Sequence, residues 1–220
     1  MFGNGNINDP DYHYRDWQLK RINTMDAILL PNFFVNKKVL ELGCGHGMIG
    51  RHYSGISDVT FSDAREEHID VVKSILPNAK TRVDDCDLPL TIDEHFDIII
   101  HFGLLYHLKD CKKHLEDILN YTDYILLETE VVDSLDSMTT STLENGYDQA
   151  FGGTGCRMSP KYVEEILESC GFEYKLILRD SLNSSFHVYD WVHQDTGTNK
   201  IGLRRMWVAW KSGMPGPMIS

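Results

Sequence analysis

The chain has no run of apolar residues long enough to cross a bilayer, which takes roughly 20 in a row. The stretch from Met1 to Pro10 holds no basic region followed by an apolar one. Neither a membrane span nor a secretory leader is expected, and a cytoplasmic location is. There is no Cys-x-x-Cys pair: Cys44, Cys86, Cys111, Cys156 and Cys170 are odd in number and widely spaced. That argues against a disulfide framework or a zinc knuckle and for buried free thiols. Positive charge is also scarce, with 21 Lys+Arg against 33 Asp+Glu and a formal net charge of -12. Such a surface repels a phosphate backbone, so a nucleic-acid partner is not expected. Lys37-Lys38 and Arg204-Arg205 are too short to make a basic patch.

What is present is a globular composition over 220 residues, 42% hydrophobic and 25% charged, enough for a single well-cored domain. Apolar spacing predicts a helix over Asp16 to Leu30, ended by Pro31. Strands are predicted at Val39–Leu42, Val59–Ser62, Thr81–Val83, Phe96–Phe102 and Tyr124–Glu130. Helices from His46 to Tyr53, Arg65 to Leu76 and Lys109 to Tyr121 fall between them. This alternation calls for a mostly parallel sheet with helices on both faces. A polar stretch, 132–158, follows as a long loop of the kind that serves as a lid or binding element. Ser159 and Pro160 open a further helix as N-cap and first-turn proline, and Gly171 closes it. Two last strands, Phe172–Ile177 and Leu203–Trp210, flank an aromatic segment, 181–199, and the tail 212–220 reads as frayed. The chain is thus divided into an N-terminal helical lid (1–35), a core (36–211) with two insertions (132–158 and 181–199), and the tail.

Chemistry concentrates where the first strand ends. Val39-Leu-Glu-Leu-Gly-Cys-Gly-His-Gly47 runs from strand into a turn with glycine at alternate positions, which lets a ligand approach the backbone. A P-loop needs Lys followed by Ser or Thr after its last glycine, and Met48-Ile49 stands there instead. A nicotinamide site wants G-x-G-x-x-G, and here the third glycine comes one place early. Glu41, Asp63, Asp84 and Asp85 all fall at the carboxyl edge of the predicted sheet. Clustered carboxylates oppose a pyrophosphate and suit a cationic ligand with hydroxyls and an amine. S-adenosylmethionine has that chemistry, and Asp63 could accept both hydroxyls of its ribose.

With these residues in place, the chain resembles the class I S-adenosylmethionine-dependent methyltransferases over roughly 36–211. The resemblance implies a Rossmann-like, doubly wound, seven-stranded sheet with an antiparallel last strand. It implies cofactor contacts from Glu41, Gly43, Cys44, Gly45, Gly47, Asp63 and Ala64, from Asp84 or Asp85 at the adenine, and from His101 and Phe102 at the end of the fourth strand. A narrower similarity, in Gly103-Leu-Leu-Tyr-His107, Leu126-Leu-Glu-Thr-Glu130 and Ser169-Cys-Gly-Phe172, links it to the tRNA wobble-uridine carboxymethyltransferases. That family's basic RNA-facing surface has no counterpart here, so its substrate is not carried over.

The reading is methyl transfer to an O or N atom of a small molecule, with no metal. RNA or protein methylation and a non-catalytic cofactor-binding subunit are the alternatives. His107, His101 or His187 would act as base, and Tyr106, Tyr14, Trp17 and Tyr189 would line the acceptor's place. Each has a plainer reading as core packing, and Asp63-Ala-Arg-Glu66 also reads as a capping box. The acceptor and the oligomeric state, a dimer included, stay open.

Overall fold

Isoleucine-rich β4 (Phe96–Phe102) lies at the centre of the sheet because both of its faces are buried. Ile98 and Ile100 pack on one side and Ile99 on the other, as alternation along a strand requires. Around it the computed structural model, which describes residues 10–144, 146, 149–184, 186–194 and 202–219, builds one seven-stranded sheet. The other strands are β1 (Lys38–Leu42), β2 (Asp58–Asp63), β3 (Lys80–Val83), β5 (Thr122–Glu130), β8 (Phe172–Ile177) and β9 (Arg204–Lys211), in the spatial order β3-β2-β1-β4-β5-β9-β8. β1 to β5 are mutually parallel, and β9 runs antiparallel to both of its neighbours. This is the expected Rossmann-like class.

Helices α1 (Pro10–Ile28), α2 (Met48–Tyr53) and α3 (Glu66–Ile75) cover one face, where Met25, Ile49, Ile69 and Val72 meet Val39, Phe61 and Leu126. Helices α4 (Cys111–Leu119) and α5 (Pro160–Ser169) cover the other, through Leu115, Ile118, Val163 and Ile166 against Leu40, Ile125 and Trp207. Ser159 caps α5 as expected, accepting from the Tyr162 N–H, with Pro160 in the first turn.

Five local expectations change. α1 stops at Ile28 because Leu29 bridges to Met218, and the Leu30 N–H donates to the Pro217 carbonyl at 2.9 Å. The tail is therefore docked through Ile219 rather than frayed. α2 begins at Met48, not His46, because Gly47 precedes it in the left-handed region (φ 67°). The polar stretch 132–158 contains an antiparallel hairpin, β6 (Thr139–Leu143) with β7 (Thr154–Met158). β6 shows no apolar alternation because it is largely exposed. Finally, Cys111 and Cys156 are joined as a disulfide tying the start of α4 to β7, whereas Cys44 and Cys86 are buried free thiols and Cys170 a half-buried one. The first nine residues of the expected lid, 195–199 of the aromatic segment and the last residue of the tail lie outside the described residues.

Candidate active site

β1 and β4 are neighbours, yet the chain leaves them toward opposite edges of the sheet. A crevice opens at the carboxyl ends of such a pair. Here it is a cavity of about 910 Å³, walled also by α1 and the hairpin.

At one end, Gly43, Cys44 and Gly45 of the first loop line the cavity. Gly45 takes φ 53°, and a Cβ built on it would meet nothing within 4 Å, so the loop backbone itself faces the open space. Gly47 does not line the cavity. A Cβ there would lie 3.0 Å from Phe61 and Val72, so its role is the close packing of the loop on β2 and α3. Asp63 Oδ2 accepts the Gly45 N–H (2.8 Å), and Oδ1 accepts the Arg65 N–H (2.9 Å) and pairs with His68 Nδ1 (3.1 Å). Burial pushes the Asp63 carboxyl up, but the bonds from His68, Arg65 and Gly45 outweigh it and hold it below the usual range. The capping box does not form, since Arg65 is the residue before α3 and makes no side-chain cap. Asp63 instead ties the first loop to the start of α3 while facing the cavity beside Ala64.

Asp84 and Asp85, which the sequence leaves equivalent, have different surroundings. Asp84 is gripped by Arg82 Nε and Nη2 (2.8 and 3.2 Å) and by the Ser62 hydroxyl (2.8 Å). The Asp85 carboxylate accepts only the Asp87 N–H (3.0 Å) among the described residues. Both line the cavity. Glu41 does not: it lies beneath α2, where Oε2 accepts the Gly50 N–H (3.0 Å), and burial pushes its carboxyl up to about 8.

The other end is built from distant segments. Phe102 ends β4 and the turn Leu105–His107 follows it, Trp17 and Arg21 come from α1, Glu144 and Arg157 from the hairpin, and Arg204 from β9. Glu128 is fully buried between Arg21 and Arg204 (Oε1 to Arg204 Nη1, 3.1 Å). Burial pushes its carboxyl up, and the two guanidinium groups more than reverse that. Arg204 Nη2 also donates to the Tyr106 hydroxyl (2.8 Å). The Arg21 guanidinium sits 3.4 Å over the Trp17 ring, which also stacks with His187 at 3.9 Å. His107 pairs through Nδ1 with Glu144 Oε2 at 2.5 Å, and Arg157 Nη2 reaches Glu144 Oε1 at 2.5 Å.

Tyr14, Trp17, Tyr106, His107 and His187 thus line the cavity, as does Phe102. His101 and Tyr189 do not. His101 alternates with Phe102 along β4 and turns to the α4 side, where Nε2 meets His114 Nε2 at 2.9 Å. Burial, then the neighbouring His114, pushes its imidazole well below the ordinary range. Tyr189 is enclosed behind the wall, accepting from Trp17 Nε1 (2.6 Å) and donating to Glu128 (3.0 Å). Neither is placed to touch an acceptor. The residues not anticipated are Arg21, Glu128, Glu144, Arg157 and Arg204. For Glu128 and Arg204 a signal existed: an ionisable residue inside a strand buried on both faces needs an ionic partner.

A family profile described as a methyltransferase domain matches residues 15–176. The chain belongs to that family and is an S-adenosylmethionine-dependent methyltransferase of Rossmann-like fold. No curated protein matches it in sequence. Among solved structures it is similar to the N-terminal domain of EvdMO1 with S-adenosylhomocysteine bound, at 17% identity and TM-score 0.65, covering 88% of this chain and 80% of that one. It is similar to magnesium protoporphyrin IX methyltransferase from Synechocystis PCC 6803 with bound S-adenosylmethionine, at 14% identity and TM-score 0.63, covering 96% and 88%. The DhpI complex with S-adenosylhomocysteine is 20% identical, with TM-score 0.54, covering 93% and 85%. At these identities the likeness is one of fold.

Proposed function

We propose that this protein methylates an oxygen or nitrogen atom of a small molecule, with the cofactor at the carboxylate end of the cavity and the acceptor between Tyr106, His107, Trp17 and His187. The observation that carries this reading is a single walled cavity with two chemically distinct ends. Its volume, about 910 Å³, is in the range of small-molecule sites.

The donor set fits S-adenosylmethionine. Asp63, Asp84 and Asp85 present negative charge to a cationic ligand, and the Gly45 backbone has open space before it. Asp63 would hold the ribose hydroxyls, sharing Oδ1 with His68. Asp85, the less engaged of the pair, would meet the adenine amine. Cys44, Ala64 and Phe102 would border the remainder. Bound there, the cofactor would supply an electrophilic methyl for transfer from its sulfur, which would keep the C–S electron pair, to a lone pair of the acceptor. The chain's own task is alignment and removal of the acceptor's proton. His107 is the base in this reading. His187 is the second choice, since its ring is stacked flat on Trp17.

α1, carrying Tyr14, Trp17 and Arg21 onto the cavity, serves as the lid. Among the described residues no helix is long and apolar enough to cross a membrane, and no group of three or more His, Cys, Asp or Glu is arranged to hold a metal. A cytoplasmic location and a metal-independent reaction belong to this proposal.

Calorimetric titration with S-adenosylhomocysteine tests the cofactor end, and saturable binding that weakens in Asp63→Asn is the expected result. A methyl-transfer screen against small hydroxyl and amine compounds, with bulk tRNA alongside, tests the acceptor end. Transfer to tRNA alone would overturn the small-molecule reading.

A further inference from the structure

His107 and Glu144 are 37 residues apart, and the hairpin brings them together. Three successive residues of β7 fasten that hairpin. A Cβ on Gly155 would collide with the Tyr106 carbonyl oxygen and lie 2.7 Å from Glu144 Oε1, so only glycine lets β7 close on the turn that carries His107. Cys156 faces the other way and is joined to Cys111. Arg157 faces the cavity again, between Glu144 Oε1 and Glu130 Oε1 (3.4 Å). This is the alternation of a strand, two residues inward and one outward.

Glu144 is nearly inaccessible, with a side chain 2% exposed. Its carboxyl is pushed up by burial, but His107, the Ala150 N–H (2.9 Å) and Arg157 together hold it below the usual range. It is therefore a carboxylate near neutral pH, and a carboxylate can only accept. Its bond with His107 Nδ1 then requires the proton on Nδ1. The lone pair is left on Nε2, in a ring that lines the cavity.

We infer that Glu144 is a positioning residue: it holds His107 with the proton on Nδ1, so that Nε2 serves the acceptor as base. The inference rests on the methyl-transfer reading above and assigns a residue to it. Proton balance follows directly. As the bond from the acceptor's oxygen or nitrogen to the methyl carbon forms, its bond to hydrogen breaks and that proton moves to Nε2. The positive charge lost from sulfur is then carried by an imidazolium directly beside Glu144, where opposite charge favours it. An acceptor that keeps its proton at neutral pH, a hydroxyl or an N–H, needs such a base, whereas a carboxylate acceptor does not. The charged partner of His107 is Glu144, which is itself paired with Arg157 of the hairpin; Arg157 also reaches Glu130 at the end of β5, and the Tyr106 hydroxyl next to His107 in the chain is held by Arg204.

The test is imidazole ¹⁵N NMR on the whole chain, free and saturated with S-adenosylhomocysteine, for wild type, Glu144→Gln and Glu144→Asp. In wild type, His107 should show a protonated Nδ1 and an unprotonated Nε2 above neutral pH. Glu144→Gln should lose that preference. Glu144→Asp should restore the wild-type tautomer. A wild-type ring with its proton on Nε2 would overturn the inference without any variant. So would an unchanged tautomer in a folded Glu144→Gln protein. Binding of S-adenosylhomocysteine should be the same in all three. If none binds it, the methyl-transfer reading fails on its own, while the tautomer still reports on Glu144.

Discussion

The two ends of the cavity are built in opposite ways. At the carboxylate end, neighbouring residues cooperate: a glycine turn directly follows β1, Asp63 closes β2, and Asp84-Asp85 follow β3, with backbone N–H groups supplying two of the three hydrogen bonds on the Asp63 carboxylate. At the end proposed for the acceptor, side chains meet from six separate segments, and charge is balanced pair by pair, with Arg21, Arg157 and Arg204 set among Glu128, Glu130 and Glu144. The first end is a local motif that any strand-loop-helix unit can carry. The second exists only once β9, the hairpin and α1 have all docked, so its chemistry is coupled to the stability of the fold.

If this division is real, the two ends should fail differently. The largest effect is expected from His107→Gln: removing a general base lowers kcat by roughly 10²- to 10⁴-fold, while affinity for S-adenosylhomocysteine is kept. Initial rates on an acceptor found by screening, beside calorimetry, measure both, and equal losses in the two would erase the division.

Next comes Glu128→Ala, which leaves Arg21 and Arg204 facing each other in the interior. Breaking a buried ion pair from one side costs about 3–5 kcal/mol. Urea denaturation should register it as a lower midpoint; a change near zero would mean that the network is hydrated rather than buried.

The third concerns the His101–His114 pair behind the cavity. Burial pushes the His114 imidazole down to about 4, and His101 shifts the same way. The folded pair is neutral, whereas the unfolded chain takes up protons below the ordinary histidine value of about 6.5. The stabilisation is therefore complete above pH 6.5 and is lost as pH falls toward 4. For His114 alone it amounts to about 3 kcal/mol. Urea midpoints at pH 7 and pH 5 should differ, and His114→Gln should flatten the difference. A pH-independent wild type would contradict the buried placement.

The smallest effect is expected at the local end. Asp63→Asn weakens S-adenosylhomocysteine binding by about 1.5–3 kcal/mol, the worth of hydrogen bonds to a charged group. His68→Ala should change it far less, because His68 only shares Oδ1. A larger effect from His68 than from Asp63 would reverse the assignment.

This contrast also decides how much could be read beforehand. β4 and β8 appear with their observed bounds, and Gly43, Gly45, Asp63, Asp84 and Asp85 fall where expected, because each is marked by residues beside it in the chain. Glu41 and Gly47 belong to the same motif yet serve the interior, one under α2 and the other against Phe61. A motif marks a segment without saying which way each side chain turns. His101 and Phe102 differ by one position, and strand alternation sends one to His114 and the other to the cavity. Glu144 carried no local signal, since its partners His107 and Arg157 lie in other elements.

By itself, then, the amino-acid sequence determined the alternation of strands and helices, the glycine turn and the ordered carboxylates, and with them a methyltransferase fold. These depend on spacing and on residue types within a few positions of one another. Only the tertiary structure decided which histidine faces the cavity, which carboxylate faces that histidine, and how the buried charges pair. Those outcomes depend on the direction of a side chain and on a partner many residues away, and neither exists until the sheet closes and the hairpin docks.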